Sequence, residues 1–196
     1  WFYFASASRP FGMVSLSPDT WTSGSWKSGY LYDSLSVRCF SHVHGWQLAG
    51  IPVMPTTGKI KSHLGMEATK SSFSHDTEIV RPGYHKIVLE DYKITAELAS
   101  TTRVGFHKYT FPKTDSAYIN FHTGAFLAHG KVDSSYVKKI NNHEIEGFSL
   151  LGATPRRPKP TYVYFTAKVD HEIKEFGGWE NTKLLPPTTE VNGKNN

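Results

Sequence analysis

From residue 84 onward apolar and polar residues alternate with a period of two, and no long window repeats at the 3.6 residues of an amphipathic helix. Ile94, Ala96 and Leu98 point one way along an extended segment, with Thr95, Glu97 and Ala99 opposite. Ala117, Ile119, Phe121 and Thr123 share a face against Tyr118, Asn120 and His122. Val163, Phe165, Ala167 and Val169 alternate with Tyr162, Tyr164, Thr166 and Lys168 in the same way. Half-buried strands carry this pattern, so Leu98, Ile119, Phe121, Val163 and Phe165 are the expected core. Glu90-Asp91-Tyr92-Lys93 separates two strands with turn-forming residues. Asn141-Asn142 separates residues 136–140 from 143–148, because asparagine tolerates the positive φ of a tight hairpin. Short strands at such spacing predict an all-β fold, an antiparallel β-sandwich, over residues 1–184. Residues 185–196 have no apolar period and predict a disordered tail.

The first 80 residues differ. They are rich in Ser, Gly, Pro, Trp and Tyr, with short apolar runs among long loops, and binding surfaces are commonly built on loops held by a rigid sheet. Composition narrows the picture further. Hydrophobic residues at 38% and aromatics at 14% suffice for a packed core in one domain. No run approaches the ~18 apolar residues of a membrane span. A net charge of +5 is spread along the chain rather than gathered into a stripe, which argues against nucleic acid as partner. The single cysteine, Cys39, excludes an internal disulfide framework and reads as a buried, inert thiol.

His42 and His44 form a His-x-His pair, which on a strand projects both imidazoles from one face. The pair suits hydrogen bonding to a ligand, a structural role, or two of the ligands of a metal site. No Cys, Asp or Glu at ligand spacing lies nearby to complete such a site. Trp46, Trp21 and Trp26 sit in or beside loops, where an indole plane can stack on the apolar face of a sugar or simply fill core. Trp46 is favoured as a platform because it lies beside His44 and Gln47. At Phe11-Gly12 the glycine permits close backbone approach and Pro10 sets the entry dihedral, so the turn is either ligand-facing or a plain loop. Asp19, Asp33, Glu67, Asp76 and Glu78 are the acidic residues of this half. None carries a motif marking it as an acid or base, and Asp19 after Ser17-Pro18 reads as a turn residue. No catalytic residue is assigned.

Arg9-Pro10-Phe11-Gly12-Met13-Val14-Ser15-Leu16-Ser17-Pro18-Asp19-Thr20 is followed by Gly29-Tyr30-Leu31-Tyr32-Asp33, Phe40-Ser41-His42-Val43-His44 and Ile51-Pro52-Val53-Met54-Pro55-Thr56-Thr57-Gly58. Further motifs run through Arg81-Pro82-Gly83-Tyr84 and 103–112 to Phe176-Gly177-Gly178-Trp179. In this order they resemble the opening of the family 92 glycoside hydrolases, calcium-dependent exo-acting α-mannosidases. The resemblance implies the N-terminal β-sandwich of a two-domain enzyme whose catalytic carboxylates and calcium ligands lie in a following helical (α/α)6 domain. It implies inverting release of terminal α-mannose from glycans, with this domain supplying a pocket wall and the interface to the catalytic domain. Carried over to matching positions, Phe11, Gly12, His42, His44 and Trp46 are the expected substrate-binding residues. Gly45-Trp46-Gln47-Leu48-Ala49-Gly50 departs from the more glycine- and serine-rich family run. The chain reads as a domain cut at both ends and inactive alone, and the family implies a periplasmic or secreted location. The alternative is a non-catalytic carbohydrate-binding β-sandwich module.

Overall fold

The computed structural model describes residues 4–5, 7–23, 28–44, 50–128, 130–155 and 157–194. The N-terminal part contributes short strands: β1 (Ala7–Ser8), β2 (Ser15–Asp19), β3 (Ser36–Val37), β4 (Cys39–Ser41), β5 (Val53–Thr57) and β6 (Ser71–Ser72). Between the last two lie a 3-10 turn (Ser62–Leu64) and a single helical turn, α1 (Met66–Thr69). Next come β7 (Ile79–Arg81), β8 (Tyr84–Leu89), β9 (Ile94–Ser100), β10 (Gly105–Thr110) and β11 (Ala117–Phe121). The chain closes with β12 (Val132–Asn141), β13 (Glu144–Leu151), β14 (Thr161–Lys168), β15 (Trp179–Glu180), β16 (Lys183–Leu184) and β17 (Glu190–Lys194). All their pairings are antiparallel.

Two sheets form the sandwich. One has the order β1-β2-β4-β5-β11 and the other β10-β9-β8-β7. Between them pack Leu16, Phe40 and Met54 from the first sheet and Ile87, Leu89, Ile94, Ala96 and Leu98 from the second, nearly all wholly excluded from water. Each large aliphatic side chain buried this way contributes about 1.5–3 kcal/mol relative to exposure. The alternation expected over Ile94–Leu98 is therefore the inner face of β9, and Glu90–Lys93 forms the turn that joins β8 to it.

A third sheet, in the order β14-β13-β12-β17, packs through a smaller apolar cluster at Val132 and Leu151, with Phe126 and Val163 beside it. It corrects two expectations. Residues 185–196 contain β17, whose Glu190–Lys194 pairs with Ser134–Lys138 of β12. Val191 opposite Val137 gives that strand its apolar contact, a pairing that no local pattern announces. The expected core positions also divide. Leu98 is buried, but Phe121, Val163 and Phe165 are half-buried, and Ile119 is 39% exposed. On β11 the opposite face goes inward: the Asn120 amide donates to Met54 O and Thr56 Oγ1, each at 2.9 Å. Two hydrogen bonds satisfy the amide, so its burial costs little. The Asn141–Asn142 hairpin forms as read, by a different device. The Asn141 side chain accepts from the His143 N–H at 2.8 Å, and neither asparagine has positive φ.

Candidate functional site

In the loop-rich half two short segments meet beside β2. The first is the turn Arg9-Pro10-Phe11-Gly12. The Gly12 N–H donates to Arg9 O at 3.1 Å, and Phe11 adopts φ of 59°. Proline followed by a positive φ, closed by this bond, is a type II turn, which normally places glycine where Phe11 stands. The Phe11 ring is fully in solvent, at 104% of its reference exposure. A Cβ on Gly12 would lie 3.2 Å from Arg9 O and 3.5 Å from Val14 O, so the glycine keeps the turn tight.

The chain then enters β2, and Ser15 ties this turn to the second segment, the His-x-His pair. The Ser15 N–H donates to His42 O at 2.9 Å, the His44 N–H donates to Ser15 Oγ at 2.9 Å, and His44 Nδ1 donates to Ser15 O at 2.7 Å. Two of the expected site positions, Phe11 and Gly12, are thus brought beside two others, His42 and His44, with Ser15 between them. The fifth, Trp46, lies outside the described residues, as does Trp26. Trp21 is described: it is 36% exposed, with the Arg38 guanidinium 5.3 Å above its ring.

The histidines themselves face inward. His42 Nδ1 lies 2.8 Å from Gly50 O and 3.1 Å from Ile51 O, so this nitrogen carries the hydrogen. His42 Nε2 meets His107 Nε2 at 2.8 Å, and His107 Nδ1 meets the Tyr109 hydroxyl at 2.7 Å. Burial lowers the pKa of both rings, and for His107 the neighbouring His42 lowers it further. With both rings neutral only one arrangement of protons satisfies the chain. The Tyr109 hydroxyl donates to His107, His107 donates to His42, and His42 donates to the backbone of residues 50 and 51. Gly105 makes room for it, because a Cβ there would sit 2.8 Å from the His42 ring.

His44 is held as firmly. Its side chain and that of Asp19 are both wholly excluded from water, with Nε2 2.8 Å from Asp19 Oδ1 and 3.1 Å from Ser41 Oγ. Cys39 donates to the other carboxylate oxygen of Asp19 at 3.3 Å. Burial, then the adjacent carboxylate, pushes this thiol well above its ordinary range, which makes it the inert thiol expected. Asp19 is therefore the buried terminus of β2 rather than a turn residue. All four ring nitrogens of His42 and His44 have partners inside the chain. The pair positions the segments on either side of it and holds no nitrogen free for a sugar hydroxyl in this state.

Ser15 also lines a surface cleft of about 540 Å³, together with Phe4, Ser8, Arg9, Pro10, Phe11, Gly12, Val80, Arg81 and Pro82. Arg81 arrives from β7, so the cleft joins two motifs far apart in the chain, each containing Arg-Pro. Sequence reasoning missed His107, Tyr109, Ser15 and the two arginines. The one available signal was the spacing of His107 and Tyr109, which puts them on one face of a strand. Among the described residues no group of three or more His, Cys, Asp or Glu side chains is placed to hold a metal ion. The calcium that the resemblance implies has its expected ligands outside this chain, and no described cluster here would hold the ion.

A second polar cluster braces the same half. Glu78 accepts from Tyr30 (2.9 Å), His75 (2.5 Å) and His85 (2.7 Å). Its burial opposes ionisation, but these hydrogen bonds outweigh that cost and hold the carboxyl below its usual range.

The model of the glycosyl hydrolase family 92 N-terminal domain matches residues 1–196. The fold is similar to that of a family GH92 α-mannosidase from Bacteroides thetaiotaomicron, solved alone and in complex with mannoimidazole. Identity is 30% and 29%, with a TM-score of 0.85 for each; the overlap takes in 98% of this chain and 28% and 27% of the other. It is also similar to the family GH92 inverting mannosidase from Bacteroides thetaiotaomicron VPI-5482, at 21% identity and a TM-score of 0.81, over 97% of this chain and 25% of that one. The chain thus spans about a quarter of the length of these proteins. No curated protein sequence matches it significantly. A match along the whole chain, on the fold just described, establishes that it belongs to the N-terminal domain family of the family 92 glycosyl hydrolases.

Proposed function

We propose that this domain forms the sugar-facing wall of an exo-α-mannosidase whose catalytic groups lie outside the chain. The observation that carries the reading is the cleft at Phe11 and Gly12, set beside the His42–His44 segment. An exposed aromatic ring offers a plane for the C–H face of a sugar, and a tight glycine turn lets backbone groups approach its hydroxyls. His42 and His44 act on the sugar indirectly, by fixing Ser15 and the strands that flank the cleft. Acid and base would come from the partner domain. In an inverting enzyme these two carboxylates stand ~6.5–9.5 Å apart to admit the attacking water. Calcium, with its preference for six to eight oxygen ligands, belongs on that side of the interface too. A periplasmic or secreted setting, where glycans are met, is part of the same reading.

The test uses the full-length enzyme. Phe11→Ala should lower kcat/KM for an aryl α-mannoside about tenfold if stacking contributes ~1.4 kcal/mol to the transition state. Unchanged kinetics with a folded protein would remove Phe11 from the pocket. The isolated 196-residue chain should show no turnover with or without calcium.

A second reading, a non-catalytic glycan-binding module, draws on the outer face of the third sheet. There Tyr162 and Tyr164 stack at 5.4 Å, 49% and 71% exposed, with Phe148 edge-on to Tyr162 at 5.2 Å. Saturable glycan binding abolished by Tyr164→Ala and indifferent to Phe11→Ala would favour it.

A further inference from the structure

We propose that the Phe11 cleft is a binding site for an anionic sugar, one bearing a phosphate or carboxylate. The inference rests on the pocket-wall reading above and adds the charge of the ligand. Two arginines, Arg9 and Arg81, line this cleft, and both residues are exposed. Among the described residues neither is paired with a carboxylate, whereas the buried Arg38 of the same half meets Glu67. Among the described residues no acidic one lines the cleft. Planar guanidiniums bind oxyanions with charge-assisted, often bidentate hydrogen bonds, and two of them at one concavity select for negative charge. Beside Ser8 and Ser15, the rest of the lining includes Phe4, Pro10, Phe11, Val80 and Pro82, an apolar surface that suits a ring rather than a bare ion.

The turn supplies an independent observation. Phe11 occupies the positive-φ position of a type II turn, where a bulky side chain is strained, and its ring gains no internal packing in return. Among the described residues nothing packs on the ring to offset that strain. A ligand lying against the ring would do so, and Phe11 lines the same cleft as the two arginines.

The experiment is an NMR titration of the chain with mannose 6-phosphate, mannuronate, mannose and inorganic phosphate, following the arginine Nε–H signals. At low ionic strength at least one anionic sugar should bind about tenfold more tightly than mannose, with the advantage shrinking as salt rises. Which of the two binds better identifies the anion. Arg9→Gln and Arg81→Gln should each bring the anionic sugar to within about twofold of mannose. Both side chains are exposed, so circular dichroism should show the fold unchanged. Mannose and the anionic sugars binding alike, with the arginine variants silent, would overturn the inference and leave the pocket-wall reading standing. Inorganic phosphate matching the sugar phosphate would overturn it as well, since the apolar wall would then contribute nothing. Absence of anionic-sugar binding overturns it outright, and the kinetics of Phe11→Ala then judge the pocket wall separately.

Discussion

Acidification should destabilise this domain through His122. The residue follows β11, is 4% exposed, and has the Trp179 ring edge-on at 5.4 Å. Its Nε2 has no hydrogen-bond partner among the described residues, and burial alone pushes its pKa down to about 4 from an ordinary 6.5. The sign follows directly. Between pH 6.5 and 4 the unfolded chain binds a proton that the folded protein refuses, so stability is full above 6.5 and falls as pH drops towards 4. Each pH unit across that window is worth about 1.4 kcal/mol, for a total of about 3.4 kcal/mol, of which about 2 kcal/mol is already lost at pH 5. Against a typical net stability of ~5–15 kcal/mol this is a large fraction. The assay is urea denaturation at pH 7.5 and pH 5, comparing the native sequence with His122→Asn. His42 and His107 resist protonation by the same mechanism, but both proteins carry them and their effect cancels in the difference. The native sequence should lose about 2 kcal/mol more than the variant over this interval. Parallel losses, or an NMR titration placing His122 near 6.5, would refute the reasoning.

Phe11→Gly should raise the unfolding free energy by up to about 1 kcal/mol, because glycine occupies a φ of 59° without strain; a lower Tm would contradict the turn assignment. Gly105→Ala puts a methyl 2.8 Å from the His42 ring and should cost about 1–3 kcal/mol in chemical denaturation, with displaced histidine resonances as its signature. Glu78→Gln leaves donors from Tyr30, His75 and His85 competing for one oxygen and should destabilise by about 1–3 kcal/mol. Since the Glu78 carboxyl is held below its ordinary 4.5, its ionised form stabilises the fold above that pH, and the stability is lost as pH falls through 4.5 and below. A deficit for the variant that stayed constant from pH 7 to pH 3.5 would exclude that role.

The strands of the sandwich were legible because burial of one sheet face imposes a period of two on the chain itself. Ile94, Ala96 and Leu98 show it, and so does the turn at Glu90–Lys93. The motifs from Arg9-Pro10 through Gly58 likewise mark the family in the sequence itself, since they depend on order along the chain. Pattern could not say which face of β11 turns inward. A buried amide there depends on Met54 and Thr56 of the neighbouring strand, and the apolar Ile119 is left outside. Nor could it find β17, whose mixed residues become a strand only because β12 offers an edge.

For the site the division is sharper. The sequence alone determined that a His-x-His pair and a Pro-Phe-Gly turn exist, and that no disulfide can form within the chain. Only the tertiary structure decided what the histidines do. His107 lies 65 positions from His42 and Asp19 lies 25 from His44, and these distant partners leave each imidazole engaged on both nitrogens. Whether a polar side chain serves a ligand or the fold depends on which groups surround it after burial, and that is a property of three-dimensional neighbours. The same holds for Arg9 and Arg81. Each belongs to an unremarkable Arg-Pro pair in the chain, and their shared charge acquires meaning only where the sandwich brings β7 alongside the turn that precedes β2.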